Sequence, residues 1–220
     1  MKRFLQGAAL LALLASPLSQ AGVVMGGTRV VYPQGQKEVS FSVTNREKKT
    51  PYLIQSWVDK SAANAAPPFI VTPPLFRLDP EQKNVLRISY TGAPLPTDRE
   101  SVFWLNVKNI APSNPDGSNQ LQVNVKSRFK IFFRPRGLAG DPSEAYRSVT
   151  FTCSGNRLTA HNPTPYFVSF YQVKSGSRAV DEPGMVSPQG ERQWPVTCGG
   201  AISWQAINDF GGITPAAVQQ

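Results

Sequence analysis

Past residue 22, apolar and polar positions alternate in short runs, and no segment keeps a 3.6-residue apolar period over ten or more positions. The pattern predicts strands. Val39, Phe41 and Val43 alternate with Ser40, Ser42 and Thr44, the two-residue period of a sheet with one face in water. The same reading places strands over residues 23–32, 38–44, 52–59, 69–72, 84–90, 102–110 and 121–133. Turn clusters such as Asn114-Pro115-Asp116-Gly117 separate them, and the spacing suits a β-sandwich of immunoglobulin-like size.

Residues 134–142, Arg-Pro-Arg-Gly-Leu-Ala-Gly-Asp-Pro, concentrate proline and glycine in a way that suits a hinge. We place a domain boundary there, giving a first domain over 22–137 and a second over 138–220. Strands are expected in the second domain over 148–153, 157–161, 167–173, 193–197 and 201–207. No internal repeat is visible. The fold class expected from pattern alone is all-β, in two sandwich-like units.

Composition adds the compartment. Phe4 to Leu18 is the only long apolar run; Lys2 and Arg3 precede it and Ser19-Gln20-Ala21 follows. A basic start, a short apolar stretch and a small-residue end read as a secretory signal over 1–21, too short for a membrane span. The formal charge of +9 is compatible with several partners, and export makes nucleic acid the weakest of them. Only two cysteines occur, Cys153 and Cys198. In an oxidising compartment they favour a disulfide that would compensate for a thin core in the small second domain, the alternative being two buried free thiols.

Candidate chemistry is sparse. One histidine, His161, and no Gly-x-Ser-x-Gly elbow leave a serine-hydrolase reading on a single imidazole next to Asn162-Pro163. The cysteine spacing with one histidine offers no zinc set, and no glycine-rich phosphate loop is present, so no cofactor or metal is expected. Residues 121–133, Leu-Gln-Val-Asn-Val-Lys-Ser-Arg-Phe-Lys-Ile-Phe-Phe, carry more information. Leu121, Val123 and Val125 share one face of a strand, while Gln122, Asn124 and Lys126 take the other. Either this is a core strand, or it is an edge strand whose apolar row is kept for another chain.

Five strings, in order, resemble the PapD-like periplasmic chaperones of chaperone–usher fimbriae. They are Thr28-Arg29-Val30-Val31-Tyr32; Thr72-Pro73-Pro74 with Arg77-Leu78-Asp79-Pro80; Leu95-Pro96-Thr97-Asp98-Arg99-Glu100-Ser101 running into Val102-Phe103-Trp104-Leu105-Asn106; Lys130-Ile131-Phe132-Phe133-Arg134-Pro135; and Ile207-Asn208-Asp209-Phe210-Gly211-Gly212. The resemblance spans nearly the whole mature chain. It implies two immunoglobulin-like sandwiches set at an angle around a cleft, and a non-enzymatic periplasmic protein. Its partners would be fimbrial subunits, which lack a final strand, and an outer-membrane usher. The chaperone would lend an edge strand to the subunit, and its own exposed edge could also permit weak self-association.

Residue by residue, the resemblance implies that Leu121, Val123 and Val125 enter the subunit groove, and that Arg29 and Lys130 anchor the subunit's C-terminal carboxylate. It also implies that Glu100, Arg134 and Asp209 form an ion network between the domains, and that Thr72-Pro73 is a position where a cis bond is common. The short segment between Ile110 and Leu121 resembles the short-loop branch. Lys130 has the opposite parity to the apolar row, so its cleft role requires either that two sides of the strand do different jobs or that a bulge intervenes. Two rivals stay open at this point: a secreted carbohydrate-binding or adhesive sandwich, and a hydrolase dependent on His161.

Overall fold

The structure is a computed structural model that describes residues 22–59, 67–92, 94–113 and 123–219. The expected leader and Leu121 lie outside the described residues. Nine strands build the first half: β1 (Val23–Met25), β2 (Arg29–Pro33), β3 (Val39–Asn45), β4 (Tyr52–Val58), β5 (Phe69–Thr72), β6 (Leu75–Leu78), β7 (Lys83–Tyr90), β8 (Ser101–Ile110) and β9 (Val125–Arg134). They form two sheets, β1-β3-β7-β5 and β2-β9-β8-β4-β6. Alternate side chains fill the space between them, with Phe41, Val43, Ile54, Leu86, Ile88, Leu105, Val107 and Ile131 buried. The two-residue period is the cause, because each strand offers one apolar row to the partner sheet.

The expected strand over 23–32 is two strands in two different sheets. β1 pairs antiparallel with β3, whereas β2 pairs parallel with β9. The switch falls at Gly26-Gly27, where a Cβ on Gly26 would collide with the Ser42 side chain. A glycine is needed there for close backbone approach, which alternation alone cannot register. β6 also escapes the pattern. The chain leaves β5 through a cis Thr72–Pro73 bond, and Ser56 ties it to β4 through bonds to the Pro73 and Pro74 carbonyls at 2.9 and 2.8 Å.

Eight strands follow: β10 (Thr150–Ser154), β11 (Arg157–Asn162), β12 (Val168–Ser175), β13 (Arg178–Ala179), β14 (Met185–Val186), β15 (Gly190–Trp194), β16 (Ile202–Ala206) and β17 (Ala217–Gln219). One sheet is β10-β11-β15; the other is β13-β12-β16-β17, with β14 also on β12. The strand expected over 193–197 lies earlier, at β15, and Cys198 instead sits on the segment beyond it. Phe151, Leu158, Phe170, Trp194 and Trp204 form a second core that shares no residue with the first.

Cys153 and Cys198 are joined by a disulfide with Cα atoms 6.1 Å apart, fastening β10 to that segment. Replacing both cysteines by alanine is expected to cost about 2–4 kcal/mol by widening the unfolded ensemble. Urea unfolding of the oxidised protein and of the double variant measures the difference; equal midpoints would show that the bridge does not stabilise the second sandwich.

Candidate functional site

β9 is bordered differently along its two halves. On one side β8 pairs with it continuously, from Ser101 opposite Phe133 to Asn109 opposite Val125. On the other side β2 covers only Lys130 to Arg134. Among the described residues, nothing pairs with the backbone from Val125 to Phe129 on that side, which leaves an open edge, a row of amide and carbonyl groups able to pair with another strand. The apolar row follows the same division. Ile131 and Phe133 are buried in the first core and Phe129 packs against it, whereas Val125 is 54% exposed and Val123, just before the strand, 68%. Leu121 falls outside the described residues.

The β8–β9 register has no shift, which answers the parity question without a bulge. Odd positions of β9 face the core and its extension. Even positions face the opposite way, and those at the end of the strand meet the second sandwich: Phe132 packs on Phe167, with ring centroids 5.7 Å apart, and Arg134 reaches Asp209. One strand thus presents an apolar row on one face and cations on the other.

Arg29 and Lys130 are register partners across the parallel β2–β9 pair. The guanidinium of Arg29 lies 5.7 Å from the Phe132 ring and donates from Nη1 to the Ile207 carbonyl at 2.9 Å; its buried Nε has no hydrogen-bond partner among the described residues. The Lys130 ammonium lies 5.8 Å from the Trp104 ring, whose residue is its partner on β8. Among the described residues, no carboxylate forms an ion pair with either cation. Burial pushes the Lys130 ammonium below the ordinary lysine range, and repulsion from Arg29 and Arg192 adds to it. Burial also lowers Arg29, against the pull of Asp209 and Glu100. Two half-buried cations side by side, each disfavoured by its surroundings, form a site that a single anion would relieve.

Arg134 ends β9 and spans the two sandwiches. Its Nε donates to Glu100 Oε1 at 2.6 Å, while Nη1 and Nη2 donate to the two Asp209 oxygens at 2.7 and 2.9 Å. The other oxygen of Glu100 accepts the Phe167 amide at 2.8 Å. Burial pushes the Glu100 carboxyl up despite Arg134 and that amide. Burial works against the Arg134 charge too, but the bonds to Asp209 and the charge of Glu100 more than offset it, so its pKa rises. The fork geometry of a guanidinium suits this use, because it fixes the relative direction of two carboxylates.

Trp104 was part of a recognised string but carried no role in the sequence reading. Its register position opposite Lys130, with the Arg128 guanidinium 4.1 Å from its ring, makes it the aromatic floor of the cationic face. That role depends on cross-strand register, which residue spacing does not supply. His161 lies elsewhere, on the second sandwich, between Glu191 and Thr152 at 2.9 Å each on the two adjacent strands. Among the described residues, no group of three metal-ligating side chains occurs, and no helix is long and apolar enough to cross a membrane.

Comparison with known proteins places these features in context. Residues 22–139 match the family model for the pili and flagellar-assembly chaperone PapD N-terminal domain, and residues 144–217 match the pili assembly chaperone PapD C-terminal domain. A probable fimbrial chaperone LpfB of Escherichia coli O157:H7 is 42% identical over 209 residues, covering 92% of this chain and 90% of that protein. The chaperone protein FimC of Escherichia coli K12 is 41% identical over 210 residues, covering 93% and 87%. Among solved structures, the E. coli chaperone DraB superposes with a TM-score of 0.81 at 36% identity, covering 90% of this chain and 98% of that one. The Salmonella enterica SafB chaperone, solved in complex with the SafA pilin, gives a structure match with a TM-score of 0.82 at 33% identity, covering 92% and 98%.

Proposed function

The chain belongs to the pili-assembly chaperone family, a group of non-enzymatic fimbrial assembly factors, and from that premise we propose that it works in the periplasm by lending β9 to an incomplete fimbrial subunit and passing that subunit to an outer-membrane usher. The observation that carries this reading is the open edge of β9 from Val125 to Phe129, which coincides with the exposed end of its apolar row and leads to Arg29 and Lys130. Main-chain bonds along that edge supply generic pairing. Leu121, Val123 and Val125 enter the groove of the subunit and set its register. At about 1.5–3 kcal/mol for each fully buried aliphatic chain, the three contribute roughly 5–9 kcal/mol gross, before the cost of association.

Arg29 and Lys130 receive the C-terminal carboxylate of the subunit. They lie at the C-terminal end of the open edge, so a chain that ends there runs parallel to β9 and lies end to end with β2. A carboxylate held at one point allows only one register of the row above it. Glu100, Arg134 and Asp209 hold the angle between the sandwiches, and hence the direction from which the cations face the incoming chain.

The test uses the co-secreted subunit. Val125→Glu, and likewise Val123→Glu, is expected to leave a folded protein with native melting behaviour, because both positions are exposed, yet to abolish co-purification of the subunit. Val125→Ile should retain it. Undiminished recovery of the complex with either glutamate variant rejects the donor role.

A further inference from the structure

Phe210 is 96% exposed, more than any other large apolar residue among those described. It stands on a turn that is tied down around it. Asn208 Oδ1 accepts the amides of Phe210 and Gly212 at 3.0 and 2.9 Å, the Asn208 amide donates to the Gly212 carbonyl at 2.9 Å, and the Gly211 amide donates to the Asn208 carbonyl at 3.0 Å. On one flank Asp209 is gripped by Arg134. On the other, Gly211 has a φ of +86° and lies so near Thr28 that any side chain would collide with it. Ile207, at the base, takes the bond from Arg29. The turn is therefore clamped against residues 28 and 29, where β2 begins and the open edge of β9 ends.

Resting on the reading above, we propose that Phe210 is a specificity element for the last side chain of the captured strand, favouring subunits that end in an apolar residue. A strand lying end to end with β2 must finish beside Thr28 and Arg29, so its terminal residue lies against the turn of residues 208–212. The carboxylate of that residue is taken by the two cations, which leaves its side chain to meet the turn. Ile213, 50% exposed and bridged to Ile207 across the base of the turn, enlarges the apolar surface offered. The backbone that carries the ring is already fixed, so docking a side chain against it orders only the ring itself, and an aromatic with two rotatable bonds loses little freedom in doing so.

The probe is a pair of labelled ten-residue peptides of alternating valine and serine with free carboxylates, one ending in leucine and one in glycine, titrated by fluorescence anisotropy. Phe210→Ser is expected to weaken the leucine-ended peptide about tenfold while changing the glycine-ended one by less than about twofold, and Phe210→Tyr should behave as native. Equal changes for both peptides, or none, overturn the role of Phe210 and leave it free to contact another component such as the usher. Lys130→Ala, run in parallel, separates the two claims. If it weakens neither peptide, or if the native protein binds neither, the carboxylate reading itself fails.

Discussion

Lys130→Ala is expected to leave the protein folded and to cut its affinity for a carboxylate-ended subunit strand by about 10- to 100-fold. That range corresponds to the roughly 1.5–3 kcal/mol of a hydrogen bond to a charged group. Little stability should be lost, since the ammonium has no ion-pair partner among the described residues and removing it relieves repulsion on Arg29. Arg29→Ala should reduce capture at least as much and also lower the melting temperature, because its Nη1 bonds to Ile207 across the junction. An unreduced affinity in both variants would dismiss the carboxylate anchor.

The same site predicts a pH dependence with a definite sign. Lys130 is held below the ordinary lysine range in the free protein, and a bound carboxylate favours its charged form and raises it again. Between those two values binding takes up a proton, so affinity falls as pH rises, and the fall begins below the pH at which an exposed lysine would titrate. Lys130→Arg should remove that fall while keeping the charge. Titrations across the alkaline range with both forms measure it; identical curves would mean that Lys130 does not face the carboxylate.

The second large effect concerns Arg134→Leu, which should destabilise the protein by about 3–5 kcal/mol near neutral pH by leaving the buried Glu100 carboxylate without its counter-charge. The Glu100 carboxyl is already pushed up in the native protein. Losing Arg134 pushes it further, so the folded variant takes up a proton more readily than the unfolded chain. A raised folded pKa gives a contribution present below the unfolded value and lost as pH rises, so the deficit of the variant should narrow on acidification toward about pH 4. Adding Glu100→Gln should restore much of the loss at neutral pH. Denaturant unfolding of the two single variants and the double variant tests this, and a deficit independent of pH would assign the effect to packing.

Much of the fold was legible because sandwich strands announce themselves by alternation: β3, β4, β5, β7 and β8 fall where the period of two places them. The misjudged elements have physical causes. Gly26-Gly27 lets the chain change sheets without interrupting the apolar pattern on either side, so two strands read as one. The strands β13, β14 and β17 are too brief for a period to emerge, and β6, Leu75-Phe76-Arg77-Leu78, does not alternate apolar with polar residues, whereas β5 alternates in its burial. The ion network was named through resemblance, since nothing in the spacing of residues 100, 134 and 209 brings them together. Trp104 and Phe210 carried no role in the sequence reading, because one depends on cross-strand register and the other on how a turn is clamped.

By itself the sequence determined an all-β chain with an export signature, two cysteines, and an alternating row that continues directly into a string holding Lys130. Local chemistry suffices for that, because side-chain period, turn residues and compartment signals act over a few neighbouring positions. Only the tertiary structure decided that β2 starts at Arg29, so that half of β9 keeps an edge unpaired among the described residues while the other half is sealed. Whether a strand is an edge depends on which distant segments reach it and how far they run, and that is settled by packing between elements separated by about a hundred residues.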